Sequence, residues 1–281
     1  MKPRATWSHL PNHKVIWSRP LTLGATRSQG GRALSKSRKR FVTSKCNSHN
    51  ILTHFPKDPD CPICNRCKRQ RAQCRKKVHG EPDQLPEPLQ FADAITADYK
   101  ILNEDDESRA NDRVALIVVD RYTRWMQGVA SQSKEHSEIV RDLQRFLGLQ
   151  TKPKHVYTDN SKEFITAMKH LNWTHGTSTP HRPQTNGVVE RAVRVIKEGT
   201  TCALVQSGLA DKWRPEAMHC FCFLRNVSVV LETGKTAYQE RFASDFAGPL
   251  IPFGAAVNYD PITNKDRQRT RAFGNKMLTG L

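Results

Sequence analysis

Seven residues, VALIVVD from Val114 to Asp120, are apolar up to the last one. A run this short, rich in branched side chains and without polar alternation, suits a strand buried on both faces of a sheet. Such a strand must be covered on both sides, which commits the chain to a layered fold. The neighbouring segments can supply the layers. Residues 94–102 and 125–130 have strand character, and 155–158 is a shorter strand. Ile139, Val140, Leu143, Phe146 and Leu147 recur at helical spacing and predict a helix over 135–147. Further helices are predicted at 162–170, 187–207 and 213–230, with a Gly/Thr/Pro loop at 175–186. On the long helix Val189, Val193, Ile196 and Leu204 form an apolar stripe. Three strands, a helix, a strand and then helices describe a mixed α/β domain over 91–232.

Outside that domain the composition shifts. Residues 1–45 hold eleven Lys or Arg and no Asp or Glu, and read as a disordered basic arm. Within it KSRKR, 36–40, has two readings, a nuclear-import or phosphate-binding run, which would place the protein in the nucleus, and a leader without function. Residues 46–77 carry a Cys/His cluster and then a basic run, 78–90 with three prolines is a linker, and 233–281 is a C-terminal extension with a strand-like piece at 253–259. The whole chain carries 45 Lys and Arg against 27 Asp and Glu, a formal charge of +18. That excess is a statement about partners, and nucleic acid is the commonest polyanion. No run approaches the length of a membrane span. The N-terminus lacks the apolar core of a secretory signal, and Lys2 stands where myristoylation needs glycine.

Five of the eight cysteines lie between Cys46 and Cys74. His49, His54, Cys61 and Cys64 read as H-x4-H-x6-C-x2-C, and two imidazoles with two thiolates suit tetrahedral Zn2+. Cys67 or Cys46 are alternatives to one of the histidines. Cys202, Cys220 and Cys222 sit among apolar neighbours and read as small buried residues.

Three acids stand at the places where α/β domains build sites. Asp98 interrupts the apolar strand ITADYKIL, Asp159 ends the strand at 155–158, and Glu190 lies in the first turns of the long helix. A charge inside a strand is costly unless exposed at an edge or neutralised by a metal. Three carboxylates can hold two divalent ions for phosphoryl transfer, with hard oxygen ligands of the kind Mg2+ requires. Taken singly, each acid also has an ordinary reading as an edge, turn or surface charge. Asp93 and Asp120 compete with Asp98 for the first position. Glu163 is either a supporting acid or a first-turn helix charge. Arg194 and Lys197 share a face with Glu190, suited to phosphate contacts or to a solvated ion-paired surface.

The strings YTDNSKEF (157–164) and HRPQTNGVVERAVRVIK (181–197) resemble the second and third acidic motifs of retroviral and copia-type retrotransposon integrases, members of the DDE polynucleotidyl transferase superfamily. IVVDRYTRWMQGVASQSK (117–134), KWRPEAMHCFCFLRN (212–226), GKTAYQERF (234–242) and IPFGAAVNY (251–259) resemble further segments of that family, in the expected order. The resemblance implies an RNase H-like core, a mixed five-stranded sheet flanked by helices, preceded by a small zinc-knuckle-like segment. It implies Asp98, Asp159 and Glu190 as the catalytic ligands of Mg2+ or Mn2+. It also implies DNA as the partner, with 3′-end processing and strand transfer by a homo-oligomer. The loop at 179–187 resembles the family's mobile site loop, where Gln184, Thr185 and Asn186 would meet DNA, together with Arg191, Arg194 and Lys197 on the helix. The His/Cys set resembles the zinc motif that precedes integrase cores, although six residues between His54 and Cys61 leave room for a compressed knuckle only. Thirty residues separate Asp159 from Glu190, fewer than the family's usual interval. Two other readings stay open. One is a decayed or domesticated integrase that binds nucleic acid without cutting it; the other is an RNase H-like nuclease. The chain is expected to be a processed piece of a polyprotein or of a broken element.

Overall fold

The computed structural model describes residues 49–68, 87–102, 108–177, 187–270 and 277–280. The basic arm with KSRKR, Cys46, most of the linker at 78–90 and the loop residues Gln184, Thr185 and Asn186 lie outside the described residues. The chain divides into two units, one spanning 48–255 and the other containing 256–281.

The larger unit is built on a five-stranded sheet. Its strands are β1 (Ala94–Ile101), β2 (Val114–Asp120), β3 (Met126–Ser131), β4 (His155–Thr158) and β5 (His175–Thr177), ordered β3-β2-β1-β4-β5. β1, β2 and β3 form an antiparallel meander, and β4 and β5 add to β1 in parallel. This mixed order is that of an RNase H-like core, as expected. All seven residues of β2 are buried, as its unbroken apolar run requires.

The alternation of β2 feeds two cores. On one face Leu116 and Val118 meet Ile139, Leu143 and Phe146 of α2 (His136–Leu147) and Phe164 and Met168 of α3 (Lys162–Leu171). On the other, Ala115, Ile117 and Val119 meet Ala192 and Ile196 of α4 (Gly187–Ser207) and Met218 and Phe221 of α5 (Arg214–Ser228). A short helix, α1 (Pro62–Cys67), precedes the sheet, and α6 (Ala237–Phe242) follows α5. The second unit's described residues form the two-stranded pair β6 (Val257–Tyr259) and β7 (Leu278–Gly280), with α7 (Asn264–Arg267) between them in sequence.

Two expectations are corrected. The segment at 175–186 begins as a strand, because His175, Gly176 and Thr177 pair with Val156, Tyr157 and Thr158; three residues are too few to show a period of two. Of the strand-like piece at 253–259, only Val257–Tyr259 is a strand. α6 has no long apolar period to betray it. It is defined by a capping box between Thr236 and Gln239.

Arg241 anchors α6. Its guanidinium stacks 4.0 Å from the Phe91 ring and 4.7 Å from the Trp125 ring, and Nη2 donates to the Phe146 carbonyl at 3.1 Å. Burial pulls its pKa down to about 10. Desolvated cation–π contacts and a charged hydrogen bond are each worth about 2 kcal/mol, so Arg241→Ala should cost roughly 3 kcal/mol. Arg241→Lys should recover less than half, since an ammonium cannot stack as a plane and still reach the carbonyl. Denaturant unfolding checks both; an unchanged midpoint in Arg241→Ala would discard the anchor.

Candidate active site and metal centre

β1 is the middle strand, and burial fades along it from Ala94 towards Ile101. Asp98 sits where it fades, half-buried and opposite Ile117 of β2. On the other side Thr96 pairs with Tyr157 of β4. Two residues further along both parallel strands, Asp98 comes level with Asp159, just beyond β4. α4 begins at Gly187, and its Ala192 and Ile196 are pinned to the sheet. That packing leaves Glu190 exposed in its first turn.

The electrostatics register this convergence. The Asp98 carboxyl is pushed up to about 6, first by burial and then by the negative charges of Asp159 and Glu190. The Tyr99 N–H, which donates to Asp98 Oδ1 at 2.7 Å, and the charge of Lys134 act in the opposite sense. Three acids from a central strand, a strand end and a helix start thus share one field. The negative charge they concentrate, on hard oxygen donors, fits divalent cations.

The rival acids are accounted for otherwise. Asp93 is buried against Lys154, with Nζ 2.7 Å from Oδ1, and this partner holds its carboxyl below the usual range. Asp120 is wholly buried and accepts from the Ala92 N–H at 2.9 Å and from the Thr123 N–H and hydroxyl, each at 2.7 Å. It ties the β2–β3 turn to the start of β1. Glu163 is exposed in the first turn of α3, behind the Ser161 cap. Arg191, Arg194 and Lys197 are all exposed on α4. Cys202 and Cys222 are buried, and Cys220 is half-buried.

His49, His54, Cys61 and Cys64 do converge, with one ligand atom from each lying within 4.8 Å of the others. Among the described residues this is the one such group of three or more His, Cys, Asp or Glu side chains. His49 Nε2 lies 3.3 Å from His54 Nδ1 and 4.0 Å from Cys64 Sγ. His54 Nδ1 lies 3.6 Å from Cys61 Sγ and 3.8 Å from Cys64 Sγ. Zinc bonds of about 2.0–2.1 Å to nitrogen and 2.3 Å to sulfur make tetrahedral edges of roughly 3.3–3.8 Å, so the set fits Zn2+. Cys67 is outside the group.

The outer partners also fit. With Nε2 turned inward, His49 Nδ1 donates to the Pro56 carbonyl at 2.8 Å; with Nδ1 turned inward, His54 Nε2 donates to Gln206 Oε1 of α4 at 3.1 Å. Such bonds select the ligating nitrogen of each ring. Burial lowers the pKa of His54 and so keeps its ring neutral, as a ligand must be. Cys61 caps α1 by accepting from the Cys64 N–H at 3.5 Å, which stabilises its thiolate. Spacing could not have named Pro56 or Gln206; the latter is 152 residues from His54.

No family model matches the chain. The chain is 31% identical over 211 residues to the retrovirus-related Pol polyprotein from transposon RE2 of Arabidopsis thaliana, covering 68% of the chain and 14% of the relative. It is 30% identical over 199 residues to that from transposon RE1 of the same plant, covering 64% of the chain and 13% of the relative. The chain therefore spans about a seventh of the length of these curated relatives. Similar solved structures include the HTLV-2 integrase catalytic core domain in complex with magnesium, in trimeric form. That match has a TM-score of 0.43 and 20% identity, and covers 55% of this chain and 99% of that one. A simian T-cell lymphotropic virus intasome in complex with PP2A regulatory subunit B56 gamma has a TM-score of 0.48 and 21% identity, over 67% of this chain and 65% of that one. The chain is thus related to the Pol polyproteins of retrotransposons and retroviruses. Among the described residues no helix is long and apolar enough to cross a membrane.

Proposed function

We propose that this chain is the integrase segment of a retrotransposon Pol polyprotein, processing DNA 3′ ends and joining them to target DNA. The observation that carries the reading is the convergence of Asp98, Asp159 and Glu190, where burial first and then the charges of the other two acids raise the Asp98 carboxyl to about 6. Relieving that repulsion favours Mg2+ or Mn2+ between the three acids, and two such ions would activate the attacking oxygen and stabilise the leaving one. The protein's own part is to hold the three carboxylates in place. Asp98 lies on β1 and Asp159 just past the end of the adjacent parallel strand β4, and Glu190 is fixed by the packing of α4. Arg194 and Lys197 follow Glu190 on one helical face and would seat phosphates beside the acids. In the first step water attacks phosphorus and frees a 3′ hydroxyl; in the second that hydroxyl attacks a target phosphodiester and displaces a 3′ oxygen. No covalent protein intermediate is involved. Zinc at the His/Cys cluster, homo-oligomeric assembly and action in the nucleus belong to the same reading.

The test is strand joining on a branched DNA that mimics an integration product, with Mn2+ or Mg2+. Asp159→Asn and Glu190→Gln should each reduce joining by about a thousandfold or more, several kcal/mol of transition-state stabilisation. Cleavage without joining would favour an RNase H-like nuclease. Salt-sensitive DNA binding with neither reaction would favour an integrase surviving as a binding protein.

A further inference from the structure

Beside α4, on a different side from Glu190, lies a groove of about 860 Å³. Arg121 and Arg124 of the β2–β3 turn, Arg191 of α4 and Arg225 of α5 line it, facing two carboxylates, Glu87 and Glu232. Arg191 directly follows Glu190, and consecutive helical residues diverge by about 100°, so the groove adjoins the acid site without belonging to it. Arg225 Nη1 is buried and has no hydrogen-bond partner, an expensive state for a cation. Burial and the neighbouring charge of Arg124 pull the Arg225 pKa down. Arg124 also stands at φ 58°, a backbone region that costs any residue but glycine, so the turn keeps an arginine there against its backbone preference.

We infer that this groove binds the phosphate backbone of a polynucleotide, as a second track separate from the Arg194–Lys197 face. The missing component is negative charge: a buried donor of Arg225 is orphaned, and among the described lining residues Arg124, Arg191 and Arg225 already outnumber the two carboxylates. Its spread favours a chain of phosphates over a single one, since the arginines come from three elements around a large space. Guanidinium groups pair with phosphate oxygens as planar forks, and such contacts position a strand without reading its bases. The inference rests on the nucleic-acid reading of the chain.

The experiment is binding of a labelled duplex oligonucleotide by anisotropy over a salt series, without added Mg2+ or Mn2+ so that nothing turns over. Arg124→Glu with Arg191→Glu should bind at least tenfold more weakly. The slope of log K against log salt should fall by about 2, one for each lost phosphate contact. Arg124→Gln with Arg191→Gln removes the charges without adding repulsion, and should show the same slope change if the first pair fails to fold. Unchanged affinity and slope would overturn the groove while leaving strand joining untouched. Weakened binding by the variants, in a wild type that joins no branched DNA, would leave the groove standing and remove the integrase reading. A wild type with no salt-dependent DNA binding would overturn both. Polyglutamate competing for the groove-dependent component better than DNA would overturn it in favour of an acidic polypeptide.

Discussion

With zinc withdrawn by a chelator, residues 49–68 are expected to open to protease while the sheet stays folded. The reason lies in how little else holds this segment. Its buried residues are few, Thr53, His54, Cys64 and Lys68, and two of those are proposed ligands. Its ties to the rest of the unit include the His54–Gln206 bond, the Asn50–Ser228 bond at 3.1 Å, the Phe55 ring against Phe221, and α1 packed on α4 with Cys67 hydrogen-bonded to Cys202. Segments this small rarely fold on apolar burial alone, and a structural metal commonly makes up the difference. Cys64→Ser should reproduce the effect, because Cys64 is fully buried and faces both histidines. If the metal holds the segment by about 3 kcal/mol against local opening, cleavage after Lys57 or Arg66 should speed up about a hundredfold. The purified protein should contain one zinc per chain, and unfolding of the sheet core should shift far less than the cleavage rate. Acid should act in the same direction. Burial holds the folded His54 below its ordinary 6.5, so the unfolded state takes up more protons over that interval. Stability from this group is therefore present above 6.5 and lost as pH falls through the interval, with the metal leaving as the rings charge. Metal-free protein with undiminished protease resistance would sink the proposal.

How much of this was legible beforehand depended on whether the signal was local. VALIVVD reports its own burial, because a strand covered on both faces has no polar alternation to show. The α2 stripe is equally self-contained, and Ile139, Leu143, Phe146 and Leu147 are all buried. β5 fails the same test. His175, Gly176 and Thr177 are extended because β4 offers them a free edge, a property of the partner and not of those three residues. α6 has a readable cap, but its position is settled by Arg241 reaching Phe91 and Trp125, far away in the chain.

The acids divide along the same line. The family resemblance put Asp98 ahead of its rivals Asp93 and Asp120, and the partners of the three bear on that choice: Lys154 for Asp93, the Ala92 and Thr123 donors for Asp120, and two further acids for Asp98. The H-x4-H-x6-C-x2-C spacing is local and could suggest zinc, whereas the choice of ring nitrogen waits on Pro56 and Gln206. The arginine groove is the extreme case. Arg124, Arg191 and Arg225 are scattered through the chain, and no periodicity or motif links them.

A single methyl group at position 199 is expected to destabilise the core more than any exposed substitution. Gly199 lies on α4 where that helix crosses α5, and a Cβ built there would stand 2.0 Å from Phe221 Cε2 and 2.1 Å from Cζ. Real carbon atoms do not approach so closely, so something must move. Phe221 is among the largest fully buried side chains, in the second core with Ile117, Met126 and Met218, and its ring lies against that of Phe55. Two effects oppose each other in Gly199→Ala. Alanine favours a helix over glycine by about 1 kcal/mol, while overpacking a closed core costs roughly 1–3 kcal/mol and sometimes more. With the ring unable to retreat, the clash should win by about 2 kcal/mol, a lowering of several degrees in Tm for a domain of this size. The diagnostic is a double-mutant cycle. Phe221→Leu alone leaves a cavity and destabilises; combined with Gly199→Ala, the new methyl partly fills that cavity. The double variant should therefore be more stable than the sum of the single losses by at least about 1 kcal/mol. Strict additivity, or a Gly199→Ala protein more stable than wild type, would mean that α4 and α5 are not seated this closely. The seating of α4 also positions Glu190, so a Gly199→Ala protein that folds but has shifted its helix should lose strand joining before it loses structure.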